Sequence, residues 1–196
     1  MDKVKSKPGL LNFFHKSPAE IQKYFEHLPN LIEEFPLDVV LTYVFARVEL
    51  AHNMTLYCGI AKLHRADTGL AFHAVQAHHM TRKEFRSKYK IVYGKPIPDA
   101  TCILLTQAEA VRDRVMHGKS ASDDQIRNAV AHVLAYAAAM NECTAAYDGP
   151  KPFGDLRGFK GAAQSLEKGT TRWVLKGMGF LSNESSADPA SQPDQE

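Results

Sequence analysis

From residue 37 onward, apolar residues recur along this chain with the spacing of helices. In "PLDVVLTYVFARVELAHNMTLYCGIAKL", Leu37, Leu41, Val44, Phe45 and Val48 stand at offsets of four, seven, eight and eleven, one stripe of a long amphipathic helix. "SASDDQIRNAVAHVLAYAAAMNECTAAY" repeats Ile126, Val130, Val133, Ala137 and Met140 at alternating steps of four and three. A capping box from Ser122 to Gln125 opens it. Between these two, "PDATCILLTQAEAVRDRVMHG" predicts a helix that starts near Asp99 and stops at Gly118, a residue suited to the left-handed position after a helix. Residues 69–90 predict a helix or a helix pair. Upstream, "KSPAEIQKYFEHL" predicts a further helix with Ser17 as N-cap, Pro18 at its first position and Glu20 closing a capping box. Nothing before residue 150 reads as a strand.

The texture changes at residue 149. Seven of the chain's twelve glycines fall between 149 and 179, which predicts a looped appendage with room for a short hairpin, ending in "TTRWVLKGMGF". The Ser/Pro/Asp stretch 182–196 predicts disorder. The expected organisation is therefore an N-terminal helical segment (1–36), a helical bundle (37–148), a basic glycine-rich extension (149–181) and an acidic tail (182–196). The fold class is all-α.

A length of 196 residues fits one domain with a real core, and 44% hydrophobic against 23% charged residues is ordinary for a soluble protein. No apolar run approaches membrane-spanning length, so no membrane partner is expected. The N-terminus lacks the apolar stretch and cleavage site of a signal peptide, which together with three widely spaced cysteines points to a cytoplasmic protein with reduced thiols. The net charge of +2 conceals an asymmetry: the tail holds four acids and no base, so residues 1–181 carry +6. Residues 82–95 hold six bases and one acid with Phe85, Tyr89 and Tyr93 interleaved, and residues 151–176 hold six bases and two acids. Bases alternating with aromatics can follow a phosphate backbone and stack nucleobases.

Candidate chemistry gathers in "AVRDRVMHGK". Arg112 follows Ala108 by four and Leu105 by seven, beside the apolar stripe of Leu104, Ala108, Val111 and Val115, so its guanidinium should lie against packed surface and need an anionic or carbonyl partner. Arg114 falls on a more polar row. Five residues separate Arg112 from His117, about 140° on a continuous helix, so the two converge only at a helix end or across two subunits. Arg112-Asp113-x-x-x-His117-Gly118, late in the third of four bundle helices, resembles the Arg-x4–6-His motif of the HEPN superfamily. The polar Asp113 after the arginine and Gly118 after the histidine match that pattern, and the resemblance spans residues 37–148.

The resemblance implies a small helical bundle that pairs as a two-fold homodimer. It also implies a metal-independent endoribonuclease of toxin–antitoxin, antiphage or CRISPR-associated systems, with RNA as substrate, an antitoxin protein as a further partner and no cofactor. In such an enzyme the RNA 2′-OH is the nucleophile, His117 moves the proton and Arg112 holds the phosphate. Asp113 would orient one of them. Arg114, Lys119, Arg157, Lys160 and Arg172 are the candidate substrate-binding cations. The alternative is a non-catalytic helical module for dimerisation or nucleic-acid binding.

Other patterns carry less. His73, His78 and His79 are spaced so that they do not stack on one helix face and lack an acidic partner, so no metal site is assigned. His52 and His132 sit within long helices, as core or interface histidines do. "GFKG" (158–161) matches the clamp of KH domains in four letters only. Walker, C-x-x-C and G-x-S-x-G signatures are absent from the sequence.

Overall fold

A computed structural model describes residues 3–78, 80–147, 151–157 and 159–180. His79, Gly158 of the "GFKG" stretch and the tail 182–196 lie outside the described residues. The described chain is all-α: three short helices, α1 (Lys7–His15), α2 (Ala19–Tyr24) and α3 (Leu28–Glu34), precede α4 (Leu37–Leu63), α5 (Thr68–Ala77), α6 (Arg82–Tyr93), α7 (Asp99–Met116), α8 (Asp123–Ala145) and α9 (Lys168–Gly177). No helix among the described residues is long and apolar enough to cross a membrane.

The two longest helices follow the apolar periodicity. Leu37, Leu41, Val44, Phe45 and Val48 of α4 are all buried, as are Ile126, Val130, Val133, Ala137 and Met140 of α8. The Ser122 hydroxyl accepts from the Gln125 backbone N–H, and the Gln125 side chain accepts from the Ser122 N–H, so the expected capping box forms. α8 packs along both α7 and α4. The segment 69–90 resolves into α5 and α6, whose start is fixed by a second capping box between Thr81 and Glu84. α4 and α6 approach closely at Gly59, where a Cβ would meet Val92 Cγ1 at 2.5 Å and Tyr93 Cζ at 2.9 Å. That close approach aligns the start of α6 beside the middle of α4.

The capping box expected at Ser17 does not form. α2 begins after Pro18 with no side-chain cap; Ser17 Oγ instead donates back to Phe13 O of α1, and Glu20 pairs with Lys151 at 2.7 Å. Gln22 Nε2 donates to the carbonyls of His15 and Ser17 and so ties α1 to α2.

The glycine-rich extension differs from the expected looped appendage. No strand occurs among the described residues, and α9 takes the place of the hairpin. Phe153 is fully buried against the rings of Tyr24, Phe25 and Tyr136. Its backbone N–H donates to Asn141 Oδ1 and its carbonyl accepts from Asn141 Nδ2, at 2.8 and 2.9 Å. Asn141 thus reads the extension as a strand neighbour would, satisfying both polar groups of one buried residue. Val4 near the N-terminus and Phe180 beyond α9 belong to the same hydrophobic core.

Candidate functional site

The end of α7 is built by its glycine. Gly118 adopts φ +67, its N–H donates to Val115 O at 3.0 Å, and the Lys119 N–H donates to Arg114 O at 2.8 Å. These are the two bonds of a Schellman cap, which leaves His117 as a fixed last position rather than a fraying one. Arg114 reinforces the turn by donating to Ser120 O at 2.8 Å, so its guanidinium serves the loop after α7. His117 and Lys119 are exposed. Among the described residues neither side chain has a hydrogen-bond, ion-pair or ring partner.

Arg112 faces the opposite way. It extends the inward row of Thr101, Leu105 and Ala108, and its guanidinium lies 5.4 Å from the centre of the Phe45 ring. Nη2 stands 3.4 Å from Glu49 Oε1 and Nη1 stands 3.5 Å from Asp113 Oδ1. Both distances are long for charge-assisted bonds. The Glu49 and Asp113 side chains are 67% and 51% exposed, so each pair stabilises by at most about 1 kcal/mol. An incoming phosphate, which a guanidinium can grip with two parallel bonds, competes readily with such partners. Asp113 also stands 3.7 Å from Arg82 Nη1, and among the described residues no side-chain hydrogen bond or ion pair joins it to His117.

Arg112 forms part of the wall of a cleft of about 780 Å³ between α4, the start of α6 and α7, which Phe45, Glu49, His52, Arg82 and Phe85 also line. His117 is not among the lining residues. Within one chain, then, the two motif residues are not brought to one place.

Arg82 Nε meets the buried Glu109 carboxylate at 2.6 Å, an ion pair set off the line of a good hydrogen bond. Burial pushes the Glu109 carboxyl upward and the neighbouring Arg82 opposes it. Deeper in the cleft, the His52 ring stacks on Phe85 at 3.7 Å and 9°, and its Nε2 is 2.7 Å from Tyr136 Oη. Burial first, then Arg82 and Arg86, push the His52 imidazole down to about 3. It is a neutral wall of the cleft, a core histidine as its place on the α4 stripe suggests. His132 is half-buried.

His52 makes stability depend on pH. The unfolded chain takes up a proton on this histidine below about pH 6.5, whereas the native state refuses it until about pH 3. Stability held above pH 6.5 is therefore lost as pH falls through that window, at up to about 1.4 kcal/mol per pH unit from this group. Urea unfolding of the wild type and of His52→Gln, at pH 7 and pH 5, should show the loss clearly reduced in the variant. Equal losses in both would remove His52 as the cause.

The basic stretch 82–95 is corrected in one respect. Its interleaved aromatics Phe85, Tyr89 and Tyr93 are 2%, 2% and 6% exposed, so they are core and cannot stack bases. Arg82 is paired as above, Arg86 Nη2 donates to Thr106 Oγ1 at 2.8 Å, and Lys88 Nζ donates to the carbonyls of Met178 and Gly179 at the end of α9. Lys83, Lys90 and Lys95 remain exposed. In the extension, Arg157 and Lys23 both pair with Asp155, whose carboxyl is held well below the carboxylate range chiefly by the Arg157 guanidinium, so Arg157 is an engaged cation. Lys160, Arg172 and Lys176 are exposed.

Among the described residues no group of three His, Cys, Asp or Glu side chains is placed to hold a metal ion; His73 and His78 join no such group. The sequence pattern holds no sign of Glu49 or Glu109, and Arg82 stands out only as one base of the stretch 82–95. Periodicity ranks faces of one helix, and these three meet only because α4, α6 and α7 do. Comparison with known protein families, curated proteins and solved structures finds no match to this chain.

Proposed function

We propose that this protein is a metal-independent endoribonuclease of the HEPN type that acts as a homodimer. The observation that carries the reading is the state of the motif residues. Arg112 stands in a cleft wall with weak, exchangeable anionic partners, and His117 stands exposed on a rigidly capped helix end, without a side-chain partner among the described residues. One group is suited to gripping a phosphate and the other to moving a proton.

Because the two face different sides of α7, one chain supplies only half of a site at a given phosphate. A second copy related by a two-fold axis supplies the other half, and two histidines then provide both a base for the 2′-OH and an acid for the departing 5′ oxygen. The outer row of α7, with Ile103 54% exposed and Ala110 also exposed, offers apolar surface for such pairing, and Met116, 59% exposed, adds to it at the helix end. Toxin or antiphage roles, with an antitoxin partner, belong to this same reading. A specific observation favours a second one: Arg112 is tied to Glu49 and Asp113, as a purely structural arginine of a binding module would be.

Light scattering should give about twice the 21.8 kDa chain mass, and the dimer should cleave RNA in EDTA. A clean monomer at micromolar concentration, or a dimer inert on several structured and unstructured RNAs, would overturn the nuclease reading in favour of the binding module.

A further inference from the structure

The chain's single tryptophan, Trp173, is 77% exposed on α9. An indole left this far in water on a well-packed helix calls for an explanation. The helix itself is firmly seated. Thr171 and Leu175 are buried, and the Thr171 hydroxyl accepts from the Asp67 backbone N–H at 3.0 Å. Lys88 holds the carbonyls just past its C-terminal end, and Phe180 lies against the His78 ring, which lines the cleft.

Around Trp173 the sequence clears a space. The residues four before and four after it, its neighbours along the helix surface, are Gly169 and Gly177. A Cβ at Gly177 would meet nothing within 4 Å, and one at Gly169 only the Glu167 carboxylate at 3.9 Å. Beside this bare strip runs a row of cations at steps of four, Lys168, Arg172 and Lys176, whose ends are about 12 Å apart along the helix. Lys176 Nζ stands 6.0 Å from the indole centre. The nearest acid in sequence, Glu167, accepts from the Thr170 hydroxyl at the helix start.

We infer that the outer face of α9 is a binding surface for single-stranded RNA, with Trp173 as the platform on which an unpaired base stacks and Lys168 and Lys176 meeting the adjoining phosphates. The choice of RNA rests on the nuclease reading; the surface adds the form of the substrate, an unpaired strand. Stacking needs an open aromatic face, and the flanking glycines leave one. Charge complementarity favours a polyanion. A lipid surface fits less well, because the apolar side of α9 is turned into the core and Trp173 has no apolar companion on the outer face.

The lone tryptophan reports the event directly. Titration with an uncleavable 2′-O-methyl oligouridylate of about 12 nucleotides should quench its emission in a saturable way, and the affinity should fall steeply between about 50 and 200 mM salt. A duplex of equal length should bind at least tenfold more weakly, roughly the contribution of one stacked base. With a labelled oligonucleotide, Trp173→Ala should lose about tenfold to a hundredfold in affinity with an unchanged melting temperature, and Trp173→Phe should keep most of it. Unchanged affinity in Trp173→Ala overturns the proposal. So does emission that responds to phosphatidylserine vesicles, or to protein concentration alone, but not to the oligonucleotide. Because the probe cannot be cut, this result is separate from catalysis. Loss of quenching with cleavage intact removes only the α9 surface, whereas quenching without cleavage removes only the nuclease.

Discussion

His117→Ala is expected to slow RNA cleavage by about 100- to 10,000-fold, the usual contribution of a positioned general acid or base. The protein should stay folded. The imidazole is exposed and has no hydrogen-bond, ion-pair or ring partner among the described residues, and the cap of α7 is made by the backbone of Gly118 and Lys119. The melting temperature should move by less than about 4 °C, equivalent to roughly 1 kcal/mol for a chain of this size. The combination matters more than either half. Activity lost together with stability would mean that the residue holds the helix end. Activity kept would mean that the proton is moved by another group. Arg112→Ala is a blunter probe, because it also removes a side chain from the Phe45 wall and leaves Glu49 and Asp113 without their shared cation.

Phe153→Ala should do the reverse. Removing a fully buried aromatic side chain typically costs 3–5 kcal/mol, which for this chain lowers the melting temperature by on the order of 10 °C. The loss should sit near the upper end, since the ring touches Tyr24 and Phe25 at the end of α2 and Tyr136 of α8, three large rings that cannot all close on the cavity. Thermal unfolding followed by circular dichroism measures it. If residues 151–180 were an appendage, the change would fall within about 0.5 kcal/mol, as surface substitutions do. At low temperature the folded fraction should still bind and cleave RNA, because Phe153 does not line the cleft.

What the sequence disclosed follows from how each feature is encoded. α4 and α8 were legible because an amphipathic stripe is a local, periodic signal, and Gly118 because a left-handed residue after a helix has few substitutes. Pro18 misled: Ser17 and Glu20 spell a capping box, but Ser17 is engaged by the preceding α1 and Glu20 by the distant Lys151. The extension misled in a similar way. Its glycines read as loop, while its attachment depends on one phenylalanine and on Asn141, 12 residues earlier in the chain. The interleaved aromatics of α6 read as a stacking array because composition does not say which face is inward; Trp173 is the most exposed of the large hydrophobic side chains among the described residues. The spacing of Arg112 places it beside the apolar stripe, and its guanidinium lies over the Phe45 ring. Which partners it found, Glu49 and Asp113, depended on helix packing that no spacing reports.

In the proposed reaction the RNA's own 2′-OH attacks the phosphate while His117 moves the proton. The most direct test of this reaction is the structure of the cut ends. Verified dimer in EDTA, incubated with an RNA that it cleaves at a mapped site, should leave a 2′,3′-cyclic phosphate and a 5′-hydroxyl. A single 2′-deoxy substitution at the nucleotide before that site should stop the cut there and spare cuts elsewhere. Ends carrying a 3′-hydroxyl and a 5′-phosphate, or a cut that ignores the missing 2′-OH, would rule this reaction out.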